Sequence, residues 1–507
     1  MEANTAGAAS SPAMQTPLDA DDASFFLTRT GFSPAPADVA RVVGMTRAQL
    51  VADTLGNVRR TPVTAWPDWI DEPPPPRALR RALTPDMRRE ARRLRDRRYD
   101  ALRAAWVDEM VATPSPLTER MTLFWHGHFT SGQDKVPYPQ TMAAQNALFR
   151  REALGNFGTL LHAVAKDPAM LQYLDGASNR NGRPNENFAR EVMELFTLGE
   201  GHYTQRDVTE AARAMTGWTV DPDTLRFVVR TDWHDAGDKT ILGETGPFDG
   251  DAFLDILLKQ RETARFLAAK LWREFVSDTP DARELEIVAD RFRASGYDIR
   301  AALAALWSTD AFWDPRNRGV LVKSPAEFVV GSVRMFDVAY GDPQMLANTV
   351  RTLGQNLFYP PNVKGWPGGA MWINSTTLLA RKQFVEQLFR ATETAGMRAG
   401  VAANAPSQSP SPSPSSSPSR VGPAVAAAMT SGVAARPASP VRGGLRFDLE
   451  RWLAQYRARP QAVAGLSTEL QLQHAVLPVP PVAAIDTAST GSAYLQALLM
   501  DPAYQLK

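Results

Sequence analysis

The sequence predicts an all-α protein: a large multi-helix domain with one small β-hairpin and a disordered Pro/Ser-rich insertion. Three observations carry this prediction. Apolar residues recur at helical spacing in segment after segment, between capping residues and Gly or Pro breakers. Only residues 225–243 place two short β-branched clusters, Phe227, Val228, Val229 and Thr240, Ile241, Leu242, around a polar turn. Residues 406–419 are thirteen Pro and Ser out of fourteen, too polar and too proline-rich for a packed element.

Residues 1–20 are small and polar and are expected to be disordered. Asp21 or Asp22 then caps a helix carrying Phe25, Phe26 and Leu27, which stops near Gly31. Ser33-Pro34 and Asp38 open another, with Val42, Leu50, Val51 and Leu55 on its apolar side. Residues 56–85 read as loop, because the four prolines at 73–76 fit no helix or strand interior. Residues 86–112 form a long helix with eight arginines between Arg88 and Arg103. Two readings of it stand: a surface for nucleic acid or anionic lipid, or a solvated face neutralised by its own Glu90, Asp96 and Asp100. The glycines and aromatics of single-strand binders do not accompany the arginines, so no nucleic-acid partner is expected.

From Pro116 to Trp218 helix follows helix. Leu154 to Lys166 closes at Asp167-Pro168, and the helix from Glu186 to Leu198 ends at Gly199. Thr204 caps the next, with Asp207 three residues on in a box-like arrangement. Beyond the hairpin, helices are expected over 251–260, 262–276, 285–294, 299–308 and 321–336. The Trp-, Gly- and Pro-rich loop 353–374 comes next, then a helix from Ser375 to about Thr392. Residues 397–445 form the linker. Leu445–Tyr456 and Tyr494–Leu499 are helical and apolar enough to pack back. The chain thus divides into a disordered 1–20, a main helical domain 21–396, the linker 397–445 and a C-terminal helical segment 446–507.

Fifty-six basic residues against fifty-five acidic ones argue against a chain-wide polyanion binder. The absence of cysteine excludes disulfides, thiolate metal sites and cysteine nucleophiles. No run of about eighteen apolar residues occurs, so no transmembrane helix is expected. Met1–Ala20 has neither a basic n-region nor an apolar core, which places the chain as written in the cytoplasm. A start upstream would make it an exported protein.

The phrases ERMTLFWHGHF, PNENFAREVMELFTLG, YTQRDVTEAARAMTGW, HDAGDKTILG, VKSPAEFVV and LGQNLFYPPNVKGWPGGAMWINSTTLLAR occur in this order. Together they resemble the bacterial family of domain of unknown function 1800, over roughly residues 25–390 and again at LLMDPAYQ. The resemblance implies a predominantly helical fold. It also implies an association with sulfatase- or phosphatase-like proteins, beside which such proteins are often encoded. Many members carry export leaders, which this chain departs from. No catalytic residue is carried over.

Chemistry is expected between His126 and His234, where five of the six histidines lie. On an ideal helix Asn187, Arg190, Glu191 and Glu194 share a face, and Asp207 and Glu210 repeat the spacing on the next helix beside Arg206 and Arg213. Such carboxylates suit a hard cation or a substrate. They equally suit an inter-helix ion network closed by Arg190 and Arg213. His126-Gly127-His128 offers two imidazoles to one ion if Gly127 breaks the helix. With Glu191 or Glu194 they would form a His-His-acid site for one divalent metal ion, or else they bond backbone carbonyls in an aromatic cluster. His234-Asp235 lies in the hairpin turn and is half of a hydrolytic pair or part of the turn itself. Ser324 before Pro325 reads as a helix cap. Trp366 and Trp372 either face a ligand or wedge the loop between helices. Two functions follow. One is a metal-assisted hydrolase using His126, His128, Glu191 and Glu194, with Asp207, Glu210 and His234 as further catalytic candidates. The other is a non-catalytic helical scaffold or partner-binding protein with a buried salt-bridge network.

Overall fold

Local capping chemistry sets most helix starts. Asp19, Thr46, Thr84, Asn156, Asp167, Thr204, Asp249, Asp281, Thr309 and Ser324 each accept a backbone N–H from the first turn of the helix that follows. The computed structural model describes residues 12–403, 444–457, 467–485 and 491–507. Among these, 22 α-helices and three two-stranded antiparallel sheets share one apolar core that runs from Met14 to Tyr504. No helix among the described residues is long and apolar enough to cross a membrane.

Several expected boundaries move. Residues 12–19 are ordered: Pro12–Gln15 forms a 3-10 turn, and Met14 and Leu18 anchor it by burying their side chains. Residues 1–11 lie outside the described part. The helix expected across Val42 to Leu55 is two helices, Pro36–Val42 and Arg47–Gly56, because Gly44 turns left-handed (φ 86°) and Thr46 starts a new capping box. The loop 56–85 contains a 3-10 turn, Asp68–Asp71, and a short helix, Arg77–Ala82. The last helix before the linker continues to Ala403. The Pro/Ser-rich stretch itself lies outside the described residues. Leu445–Arg446 is a strand paired with Ala339–Tyr340, and the helix expected from Leu445 starts at Leu449. Thr468–Val476 adds a helix.

The single hairpin over 225–243 is replaced by two. Phe227–Val229 pairs with Trp218–Val220, and Lys239–Ile241 pairs with Glu244–Gly246. The second turn explains the difference: Leu242 (φ 47°) and Gly243 (φ 85°) are both left-handed, as a two-residue type I′ turn requires. Thr240-Ile241-Leu242 therefore folds forward onto residues 244–246.

The Pro85–Ala112 helix is solvent-exposed over most of its arginine-rich first half, where Arg89–Asp86, Arg93–Glu90 and Arg97–Glu90 pair on the surface. Its second half buries Tyr99, Leu102, Trp106 and Met110 against the Pro325–Met335 and Pro343–Thr352 helices. The Pro116–His128 helix packs between this layer and the Pro139–Arg151 helix. The last residues, Lys323 to Gln505 and Val322 to Leu506, are bridged by backbone hydrogen bonds that bring Lys507 against the Pro325–Met335 helix.

Candidate functional site

The structure does not assemble the expected His-His-acid site. The Pro116–His128 helix runs straight through Gly127, so the two histidines diverge around it. His126 is enclosed by Trp106, Phe149, Phe358 and Trp366, and its Nε2 accepts the Phe358 N–H at 3.2 Å. Burial pushes its pKa down to about 3. His128 lies on the other side, where Nε2–H donates to the Phe196 carbonyl at 3.2 Å and Nδ1 accepts from Lys270 Nζ at 3.0 Å. Burial, with Lys270 beside it, holds this imidazole neutral as well.

Glu191 and Glu194 also depart from the expected face. The helix from Glu186 is α-helical only to Glu191, and Val192–Thr197 is a π-helix, a local widening that shifts every later side chain around the axis. Glu194 accepts from Tyr203 Oη at 2.9 Å and faces Lys364 at 3.8 Å. Glu191 is half-buried, and burial and then the Glu194 charge raise its pKa. Among the described residues, no group of three or more His, Asp or Glu side chains is placed to hold a metal ion.

The remaining candidates hold the small sheets. Asp207 completes the Thr204 capping box and accepts the Leu242 N–H at 2.8 Å. Glu210 takes Arg213 at 2.7 Å and the Thr240 N–H at 3.2 Å. Arg213 also reaches both oxygens of Asp235, at 2.8 and 3.2 Å. His234 donates from Nδ1 to the Thr216 carbonyl at 2.9 Å. Arg190 bonds Gln205 at 2.7 Å and Glu186 at 3.3 Å. The two arginines thus close two separate clusters, Arg190 with Glu186 and Arg213 with Glu210 and Asp235; Glu191, Glu194 and Asp207 take neither arginine, and Arg206 makes none of these bonds.

A cleft of about 410 Å³ opens elsewhere, where segments distant in sequence meet. Helix Pro116–His128 supplies Arg120, Phe124 and His128. Helix Arg261–Phe275 supplies Lys270, Arg273 and Glu274. Ser324 and Glu327 come from the start of the Pro325–Met335 helix. Gln355, Trp366 and Trp372 come from the loop, and Lys507 from the last turn. The loop is seated by Gly365: its φ of 79° is left-handed, and a Cβ there would lie 2.6 Å from the Gly127 carbonyl oxygen.

The cleft's inner wall is ionic. Arg120, almost fully buried, pairs with Glu274 at 2.6 Å and with Glu327. Lys507 donates to Glu327 as well, and Glu327 accepts the Ser324 N–H at 2.8 Å. Ser324 is the expected cap, its Oγ accepting the Glu327 N–H at 3.3 Å. Burial alone would raise the Glu327 pKa, but Arg120 and Lys507 outweigh it and hold the carboxylate charged. Lys270 differs. Its Nζ donates to His128 Nδ1 and to the Leu195 carbonyl, each at 3.0 Å, and no carboxylate among the described residues accepts from it. Burial, and then Arg273, push its pKa down to about 7. Arg273 stands exposed at the mouth and makes no ion pair among the described residues.

Sequence reasoning passed over Arg120, Lys270, Arg273, Glu274, Glu327 and Lys507. One signal was there: Lys270 sits three residues after buried Leu267 and beside Leu271, on the apolar side of its helix. Of the expected metal and catalytic residues, the cleft takes in His128 alone; Trp366 and Trp372 from the loop also line it.

The family described as Protein of unknown function (DUF1800) matches over residues 25–506, and the chain belongs to it. No curated protein and no solved structure matches the chain.

Proposed function

We propose that this DUF1800 protein binds a small organic anion in the 410 Å³ cleft, and that its buried ion network is the scaffold that shapes the cleft. One observation carries the reading: the cleft's two cations without a carboxylate partner among the described residues, Lys270 and Arg273, stand three residues apart on one helix and line the same opening. Arg120 and Lys507 are neutralised by Glu274 and Glu327 and are not free to take a ligand. An anion would supply the missing counter-charge, and charge-assisted hydrogen bonds to a guanidinium are the strong ones. Trp366, Trp372, Phe124 and Leu123 offer the apolar faces that would cover an organic moiety.

This reading extends the binding-protein alternative, and it does without a His-His-acid metal centre: His126, His128 and Glu194 are engaged separately, and among the described residues no group of three or more His, Asp or Glu side chains is placed to hold a metal ion. The test is titration with phosphate, sulfate and benzoate, followed by tryptophan fluorescence and calorimetry. Binding of at least one probe is expected, weakened about tenfold or more in Arg273→Ser and in Trp366→Ala, or about 1.4 kcal/mol. If none of the three binds, or if both variants bind as the wild type does, the reading fails.

A further inference from the structure

The cleft contains one nucleophile that anion binding leaves unused. We infer that Lys270 is a carbonyl-reactive amine that forms an imine with an aldehyde or 2-oxo group on the anionic ligand, which Arg273 holds by its carboxylate. The inference rests on the cleft being a ligand site, as proposed above.

The geometry at nitrogen carries the argument. A tetrahedral amine has four directions. At Lys270 one is the bond to Cε, and two are N–H bonds donated to His128 Nδ1 and the Leu195 carbonyl, each at 3.0 Å. The His128 tautomer is set by its other nitrogen: Nε2–H is spent on the Phe196 carbonyl, so Nδ1 has only a lone pair to offer. Both acceptors are neutral. They orient the amine without supplying the negative charge that would hold it as an ammonium. The fourth direction has no hydrogen-bond acceptor among the described residues; in the free amine it is the lone pair, and the side chain lines the cleft.

The surrounding charges act in the same sense or are spent. Arg273 on the same helix disfavours the ammonium. Glu274, on the same helix, is bonded to Arg120, and Glu327, from the facing helix, to Arg120 and Lys507. Asp278 lines the exposed rim and makes no bond to Lys270. The Phe266 ring, 4.7 Å from Nζ, covers one side, and its π face favours the ammonium, against the effect of Arg273 and burial. A desolvated amine next to a second cation is a recurrent way of activating lysine.

The step balances as a condensation. The Nζ lone pair attacks the carbonyl carbon while the C=O π pair moves to oxygen. One nitrogen proton passes to that oxygen to give a carbinolamine. Protonation from solvent and loss of water then form the C=N bond, leaving a protonated imine. No oxidant or cofactor enters. Because Lys270 and Arg273 are one helical turn apart, the ligand class is one with carbonyl and carboxylate close together, as in glyoxylate and the 2-oxo acids.

The experiment treats the full chain with glyoxylate and sodium cyanoborohydride over pH 6 to 9 and maps carboxymethyl-lysine by peptide mass spectrometry. At pH 7 an ordinary lysine is almost wholly protonated. Lys270 is therefore expected to react at least about tenfold faster than the exposed Lys259 and Lys364, with its rate levelling off by about pH 8. Arg273→Ser should slow Lys270 without altering the exposed lysines. Lys270→Arg should abolish the product while leaving the labelling of the exposed Lys259 and Lys364 unchanged. Labelling of Lys259 and Lys364 ahead of Lys270 in a protein that binds the anions overturns the imine alone. Failure of both labelling and anion binding overturns the cleft as a ligand site as well.

Discussion

Replacing Glu327 with glutamine tests whether the ionic wall holds the cleft together. The carboxylate is almost fully buried and receives Arg120, Lys507 and the Ser324 N–H. Glutamine keeps the size and one acceptor oxygen but turns an NH₂ toward two cations. Arg120, also buried, is left with Glu274 alone, which is partly solvent-exposed. A unit charge pair at contact is worth about 4 kcal/mol at an effective dielectric near 20. Removing one member of a buried pair costs about 3–5 kcal/mol, because the partner charge stays buried and unpaired. The variant should therefore lose about 3–5 kcal/mol, a large share of a domain's roughly 5–15 kcal/mol stability.

The sign of the pH dependence gives a second, independent readout. The Glu327 pKa is lowered on folding from its ordinary 4.5, with Arg120 and Lys507 overcoming the cost of burial. Its contribution is then fully present above about pH 4.5 and disappears as pH falls through the lower folded value. Denaturant unfolding of wild type and Glu327→Gln should show a gap that is constant from pH 7 to 5 and narrows below 4.5. A gap under about 1 kcal/mol at pH 7, or one that does not narrow in acid, would refute the reasoning. An Arg120→Met/Glu327→Leu double variant should recover part of the loss, since the buried guanidinium is no longer stranded, although Lys507 still lacks its Glu327 partner.

Two further outcomes follow from the same geometry. Gly365→Ala puts a Cβ 2.6 Å from the Gly127 oxygen at φ 79°; it should cost about 2 kcal/mol or more, measured by denaturant midpoint, and a neutral effect would mean that the loop is not seated there. Glu191→Gln should stabilise the protein at pH 7 by less than about 1 kcal/mol, because burial and Glu194 raise the carboxylate's pKa. That gain should vanish at about pH 4, where the carboxylate is protonated in both states. Loss of a bound metal and of stability in this variant would instead restore the His-His-acid reading.

What was legible in the sequence was local. The Thr204–Asp207 capping box and the Ser324 cap are interactions across three residues, so the letters alone specify them. The helical class is likewise the sum of many short-range periods. The hairpins were misassigned because β-branched runs show where strands lie but not which partner each takes. That was decided by Leu242 adopting a conformation leucine rarely accepts. The His-acid cluster failed for a related reason. Projection on an ideal helix assumes 100° per residue, and the π-helix at Val192–Thr197 invalidates it just where Glu194 was placed. The cleft was not legible because Arg120, Lys270, Glu327 and Lys507 come from four separate segments and meet only through tertiary packing.

The π-helix also links the fold to the chemistry. A helix leaves its last carbonyls without intrahelical donors, and here the Gly199 N–H turns back to Met193 rather than to Leu195. The Leu195 and Phe196 carbonyls are met instead by Lys270 and His128. Capping alone explains two N–H donors, and an ammonium would serve it at least as well, since a helix C-terminus favours positive charge. It does not explain why the capping amine sits beside Arg273, without a carboxylate, on the wall of a cleft. A lysine kept only as a cap would be better placed next to an acid. The neighbourhood of Lys270 disfavours its charge while preserving its orientation, and that combination costs stability unless the free amine has a use.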